Sequence, residues 1–266
     1  GMSYQESTND NVYGSLSANS EDAIKKNDPL FYYLNYGSAS ATKGVAGEKI
    51  RSAKLSYFGR VGYEFAGRYL LQGSLRADAA DLSLLPSTNR WGYFPAVSAG
   101  WTLSEEEFFA PLKHQVSSLK LRASWGQNGS LAALSNYPYS TDMALKGLYP
   151  FGTGNYYINA VAPSSMGNDK LKWETSEQYN VGIDLGFFDQ RLTITADAYL
   201  KTTKDLLQQI ALPYASGYTT MWINNGKIEN KGIELTIEGT PVAKKHWNWT
   251  IGGNISFAKN TIKELG

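Results

Sequence analysis

"NRWGYFPAVSAGW", Asn89 to Trp101, alternates along its whole length although a proline sits in the middle. In an extended strand successive side chains point to opposite faces. One face then carries Trp91, Tyr93, Pro95, Val97, Ala99 and Trp101, and the other Gly92, Phe94, Ala96, Ser98 and Gly100. The two tryptophans stand roughly 33 Å apart at about 3.3 Å per residue. A tilted strand of this kind sets one tryptophan at each edge of an apolar band and leaves small residues behind it. Pro95 removes one ladder donor and predicts a bulge or local irregularity.

Seven further segments follow the same period of two. "RSAKLSYFGRVGYEF" turns through "AG" into "RYLLQGSLR", and "SLKLRASWG" follows the opening strand. "EQYNVGIDLGFF" and "RLTITADAYLK" are joined by "DQ", a spacing that predicts a tight hairpin. "NKGIELTIEGT" and "HWNWTIGGNISFAKN" close the series. Each has a greasy face and a polar face, the latter carrying Arg60, Arg76, Arg122, Asp184, Asp197, Glu234 and Glu238. "SEEEFFAPLKH" predicts a short helical turn with Ser104 as cap and Glu107 completing a capping box, ended by Pro111.

The links at 66–67, 104–115, 189–190 and 241–246 are short, whereas those at about 77–90, 127–170 and 207–226 are long, and the two kinds alternate. In an up-and-down sheet all long loops then emerge on one side, which is the asymmetry of an outer-membrane barrel. A soluble sandwich or meander with one face in a core alternates equally well. Loop asymmetry and terminal aromatics favour the barrel, with Trp91, Trp101, Trp125, Trp247 and Trp249 as membrane-interface aromatics.

Composition agrees. The 26 glycines, 18 tyrosines, 10 phenylalanines and 7 tryptophans suit pleated surfaces and turns. A formal charge of +1 offers no footprint for nucleic acid, and the lack of cysteine removes disulfides and thiolate chemistry. No catalytic constellation emerges. His114 and His246 fall in separate turns, and Ser117 and Lys120 of "SSLK" point to opposite faces of a strand. "AVSAG" has Ala96 where a nucleophile elbow needs its first glycine. We expect no catalytic residue, metal or cofactor. The 127–170 link is long enough to suggest a function. Its Tyr137, Tyr139, Tyr149, Phe151, Tyr156 and Tyr157, with Tyr214, Tyr218 and Trp222 of the later loop, are candidate substrate contacts, or they pack the loops on their neighbours.

From about Ser56 to Leu265 the chain resembles the SusC/RagA-type TonB-linked outer-membrane transporters. The likeness rests on "SYFGRVGYEFAGRYLLQGSLRAD", "NRWGYFPAVSAGWTLSEEEFF", "SSLKLRASWGQNG", "LKWETSEQYNVGIDLGFFDQRLTITADAYLKTTKDLL" and "INNGKIENKGIELTIEGTPV", in that order. The resemblance implies an all-β fold of antiparallel up-and-down strands, a partial segment of a 22-stranded transmembrane β-barrel closed by an N-terminal plug. It also implies import of oligosaccharides or peptides across the Gram-negative outer membrane without covalent chemistry. The implied partners are a SusD-like surface lipoprotein acting as lid, the TonB complex reached through the plug-bearing part, and outer-membrane lipid. Residues 51–266 are expected to supply about eight barrel strands and no plug. Residues 1–50 are expected to be an extracellular loop-like segment, partly ordered, with "NDPLFYYLNYGS" as an extra strand within it. The alternative is a soluble β-sheet surface module holding carbohydrate through loop aromatics.

Overall fold

The computed structural model describes residues 1–17, 42–134, 137–152 and 156–265. The main sheet is built from β1 (Met2–Ser17), β2 (Thr42–Phe65), β3 (Tyr69–Ala79), β4 (Trp91–Thr102), β5 (Val116–Ser130), β8 (Glu174–Phe187), β9 (Leu192–Lys204), β12 (Lys227–Lys244) and β13 (Trp247–Glu264). These nine strands lie in the order β1-β2-β3-β4-β5-β8-β9-β12-β13. From β2 onward every pairing in this sheet is antiparallel.

Eight strands of this sheet, β2 to β5, β8, β9, β12 and β13, lie wholly or mostly within residues 51–266; the ninth, Met2–Ser17, and the start of β2 from Thr42 are extended within the segment anticipated as loop-like. Tyr4–Lys54 forms a compact unit of its own. Within it Arg51 Nε meets Glu6 Oε1 at 2.6 Å and Lys49 Nζ meets Asp10 Oδ2 at 3.6 Å. Both faces of "MSYQESTNDNVYGSLS" are largely polar and exposed, so no greasy face betrays the strand. "NDPLFYYLNYGS" lies outside the described residues.

The short links are turns of defined chemistry. Ala66 and Gly67, at φ 55° and 65°, form a two-residue turn closed by the Arg68 N–H on the Phe65 carbonyl at 3.0 Å. Two consecutive left-handed residues match the twist of the strands they join. Between β8 and β9 the positive φ falls on Phe188, Asp189 and Gln190, without a glycine. "SEEEFFAPLKH" makes two 3-10 turns, Leu103–Glu105 and Glu107–Leu112, and the second includes Pro111. The expected capping box does not form: neither turn has a side-chain cap, and Ser104 is buried within the first.

Pro95 makes no bulge. The β3–β4 register runs unbroken from Tyr69↔Trp101 through Leu75↔Pro95 to Ala79↔Trp91. The β4–β5 ladder instead begins only at Ala96↔Gly126, so the proline stands where β4 leaves β5.

The long links are not bare loops. β6 (Asp142–Phe151) and β7 (Tyr156–Met166) come from the first, and β10 (Leu207–Ala211) and β11 (Thr220–Asn224) from the second. They join into a second sheet, β10-β11-β7-β6, through a short parallel contact between β11 and β7. Beneath it Ala80, Leu85, Phe94, Leu171, Trp173 and Leu207 form the buried cluster. Phe94 meets Trp173 edge-on at 5.5 Å. Gly92 and Gly129 leave room for the Phe94 ring, which a Cβ at either position would strike.

Among the described residues no such cover lies over the greasy face of the main sheet: Val61, Leu71, Val97, Val181, Ile233 and Ile251 are all exposed. This band is oblique to the hydrogen-bond rows. The row through Trp101 runs Leu121, Ile183, Ala196, Leu235, Ile255. The lower end of the band is Trp101 on β4 but Trp247 on β13, eight residues beyond Ile255. Its upper end is Trp91 on β4, ten residues above that row, but Phe257 on β13, two above it. Both edges therefore descend by eight residues over five strand steps. That is roughly 26 Å along the strands for roughly 24 Å across, an inclination of about 45–50°. Outer-membrane barrels tilt by similar amounts, and the implied band height of about 22 Å is close to the ~25 Å they show.

One row makes the consequence plain. Val97, Trp125, Tyr179, Leu200, Lys231 and Lys259 are successive partners, yet Val97 is central in the band and Lys259 above it. Val97→Arg and Ile251→Arg are expected to destabilise the folded barrel by about 2–4 kcal/mol each, and Tyr93→Arg by at most about 1 kcal/mol. Denaturant titration of the full-length protein in lipid reads this directly, and equal costs at all three positions would refute the assigned slope.

Candidate functional site

The inner face opposite the band is polar and floored by small residues. Gln72, Ser98, Lys120, Arg122, Asn180 and Asp197 border an open concavity of about 550 Å³. Its centre is an ion network. Arg122 on β5 donates from Nε and Nη2 to the two carboxylate oxygens of Asp184 at 2.7 and 3.0 Å, and from Nη2 to Asp197 at 3.1 Å. Thr195 Oγ1 adds a hydrogen bond to Asp184 at 3.2 Å.

Register explains the reach. Arg122 pairs with Gly182, and Gly182 with Asp197, so the guanidinium crosses a whole strand. A Cβ on Gly182 would lie 2.9 Å from Arg122 Nη2. Glycine is what lets a cation on β5 serve a carboxylate on β9. Arg76 is held by Asp78 at 2.8 Å and Ser56 at 2.8 Å, with its guanidinium over the Phe58 ring. Glu234 stands opposite Asp197 and Glu238 opposite Thr193.

The loop aromatics divide into two groups. Tyr139 and Trp222 pack against the buried cluster, and the Tyr139 hydroxyl donates to the Leu82 carbonyl. Asn168 Nδ2 holds the Trp222 carbonyl at 2.8 Å, which ties the two long links together. Tyr137, Tyr149 and Tyr214 are open to solvent at 54, 60 and 95 % exposure, and Tyr218 is half-buried. Phe151 pairs with Tyr156, and Pro150 with Tyr157, at the tip of the β6–β7 hairpin. His114 and His246 lie exposed in separate turns.

At the edges of the outer face sit two carboxylates that sequence reasoning missed. Glu106, between the two 3-10 turns, accepts from Trp101 Nε1 at 2.9 Å and from the Tyr69 hydroxyl at 2.7 Å on Oε1. Its Oε2 accepts from Arg68 Nη1 at 3.0 Å. Tyr69 also stacks on Trp101 and Phe65. Near the long-loop end Glu177 repeats the pattern. Oε1 accepts from Trp125 Nε1 at 2.9 Å and from the Tyr179 hydroxyl at 2.9 Å, and Oε2 accepts from Lys204 Nζ at 3.0 Å. Above Trp125 the tryptophan of β4, Trp91, stacks on Tyr57. Trp247 and Trp249 are exposed at the turn end of β13. The available signal was a glutamate within five residues of a strand-end tryptophan or tyrosine, in "WTLSEE" and "ETSEQY".

The hydrogen bond from Tyr69, then that from Trp101, holds the Glu106 carboxyl below the usual glutamate range, against the opposing effect of burial. A depressed folded pKa contributes stability that is full above the unfolded value, about 4.3, and is lost as pH falls through the folded one. Glu106→Gln should therefore lower the unfolding midpoint by a constant amount from neutrality to about pH 5, and by a shrinking amount below it. A midpoint difference that persists undiminished at strongly acid pH would rule out the carboxylate charge as its source.

The comparisons agree with this geometry. A family model described as TonB dependent receptor-like, beta-barrel, matches residues 1–265. The chain is 34% identical over 222 residues to TonB-dependent receptor SusC of Bacteroides thetaiotaomicron, which covers 81% of this chain and 21% of that protein. It is 30% identical over 265 residues to TonB-dependent receptor P3 of Formosa agariphila, covering 100% of this chain and 25% of that protein. Among solved structures, the RagAB peptide importer in its open-open state superposes with a TM-score of 0.75 at 27% identity, over 88% of this chain and 24% of that one. The chain thus spans about a fifth to a quarter of the length of these relatives. These likenesses are to receptors and transporters, in a family of the outer membrane. With its inclined strands, its uncovered apolar band and its polar inner face, the chain belongs to the TonB dependent receptor-like β-barrel family, on the SusC/RagA-type side of it.

Proposed function

We propose that this chain is part of a TonB-dependent nutrient importer of the outer membrane, moving oligosaccharides or peptides through a plugged barrel. The observation that carries the reading is the apolar band, whose slope across the rows suits strands inclined in a bilayer while the opposite face stays polar. A water-soluble module would leave that band in water. The similarity to SusC and to the RagAB peptide importer supports import as the activity.

In this reading the inner-face concavity around Arg122, Asp184 and Asp197 is lumen, and it faces the plug or the passing solute. A SusD-like lipoprotein covers the long-loop side, and the TonB complex acts through the plug-bearing part. Tyr137, Tyr149 and Tyr214, exposed at the loop surface, are the aromatics best placed to stack on sugar C–H faces or peptide side chains or to meet the lid. Tyr218 and the hairpin-tip residues Phe151, Tyr156 and Tyr157 are secondary candidates. Tyr139 and Trp222 act through the packing that shapes this layer. No bond of the solute is made or broken.

Deleting the full-length gene in its host, restoring it, and following uptake of defined oligosaccharide and peptide mixtures tests the reading. Uptake of one class should disappear on deletion and on depletion of TonB. Tyr149→Ala and Tyr214→Ala should each slow it by about two- to tenfold, as expected for loss of one aromatic contact. Unchanged uptake of both classes on deletion would exclude nutrient import of these kinds.

A further inference from the structure

Above the apolar band, the outer face of β9, β12 and β13 changes abruptly to lysine. Lys231 on β12 and Lys259 on β13 are direct cross-strand partners, one alternate position beyond the partners Ile233 and Phe257. Both are exposed. Like charges directly opposite on neighbouring strands repel and destabilise a sheet. The next outward positions hold Thr202, Glu229 and Thr261, and beyond them lie Lys204, Lys227 and Lys263. Of the carboxylates near this surface, Glu229 is engaged by Lys263 at 3.0 Å and Glu177 by Lys204 at 3.0 Å, and Glu264 is the cross-strand partner of Lys227. Among the described residues no carboxylate lies within ion-pair distance of Lys231 or Lys259.

The depth of this pair is fixed by the slope of the band. Lys231 and Lys259 share a row with Val97 at mid-band, but the inclination lifts that row to the upper boundary by the time it reaches β13. The ammonium groups therefore stand at headgroup level on the long-loop side, with Ile233, Leu235, Ile255 and Phe257 directly beneath them on the same face. A group that satisfies this surface must be anionic above and apolar below.

We infer that Lys231 and Lys259 bind the phosphorylated headgroup of a lipid in the outer leaflet, whose acyl chains lie on Ile233, Phe257 and the residues below. One phosphate between the two ammonium groups turns the cross-strand repulsion into a bridge that joins β12 to β13. Basic residues grouped at a membrane boundary recognise lipid headgroups through the same electrostatics.

The test uses the full-length receptor in non-ionic detergent, titrated with diphosphoryl lipid A and with its dephosphorylated counterpart and read by native mass spectrometry. The wild type should retain the phosphorylated lipid and hold the dephosphorylated one at least about tenfold more weakly, since each lysine near the charged surface contributes about fivefold. The double variant Lys231→Gln/Lys259→Gln should lose about 30-fold. Lys231→Arg/Lys259→Arg should keep binding, as should Lys201→Gln, whose side chain belongs to the inner face. Equal retention of the two lipids by the wild type overturns the site. So does undiminished binding by the glutamine pair, or an equal loss in Lys201→Gln. Competition by millimolar inorganic phosphate distinguishes the source: full displacement would mark a free-phosphate site and overturn the lipid assignment. Should the glutamine pair fail to fold, the lipid comparison and the arginine pair still decide. Nutrient uptake should be unaffected by the arginine pair, so a failure here is separable from a failure of the import reading.

Discussion

A strand that crosses hydrocarbon has no water to satisfy its backbone, so each N–H and C=O must find a partner on a neighbouring strand. That constraint makes the ladders of this sheet, rather than any side-chain contact, the element on which the rest depends. From β2 to β13 the ladders hold their register through most of the band, with two interruptions inside it: β4 leaves β5 beyond Ala96↔Gly126, and β12 shifts against β13 between Gly239↔Ile251 and Val242↔Trp249. The irregularity of the β5–β8 ladder falls near a strand end, between Val116 and Ser118. The conspicuous opening, where β4 leaves β5 above Ala96↔Gly126, coincides with protein packing: the Phe94 ring lies against Gly129 and Trp173 there. A proline is admitted at that point because the ladder to β5 has ended.

Once register is fixed, the faces follow, and each solves a different problem. The outer face needs bulk and no polarity, and it exposes large apolar residues that in water would cost roughly 25 cal/mol for every Å² left uncovered. The inner face must accommodate charge at close quarters. It does so by removing side chains as much as by adding them: Gly182 gives up its Cβ so that Arg122 can neutralise Asp184 and Asp197 together. One glycine thus couples three strands electrostatically.

Much of this was legible from alternation. The greasy and polar faces of β2 to β5, β8, β9, β12 and β13, the short and long links, and the hairpin through Ala66–Gly67 all follow from period two and turn chemistry. What escaped was long-range or lacked contrast. Met2–Ser17 is polar on both faces, so periodicity had nothing to report. β6, β7, β10 and β11 are short, and β7 meets β11 across more than fifty residues of sequence, so each long link reads as a loop when taken alone. The same distance hides the fate of the aromatics. Tyr139 and Trp222 look like Tyr149 and Tyr214 in composition, and only the joining of the two links commits the first pair to a core.

Two glutamates show how side chains finish what register begins. A ladder sets which residues share a row but leaves the sheet free to ride up or down in a bilayer, since lipid grips a smooth apolar face weakly. Glu106 and Glu177 remove that freedom from opposite ends. Each binds a tryptophan N–H and a tyrosine hydroxyl through one oxygen and a cation through the other. The rings are thereby oriented with their polar edges toward a charged group and their faces toward the band, the posture aromatic residues favour at a membrane boundary. Moving the sheet inward at either end would carry a carboxylate and its cation into hydrocarbon, which is costly even for a pair. With one cluster near each edge, both directions are opposed. Depth is then set by the same residues that mark the edges of the band, and the inclination of those edges is a property of the chain itself.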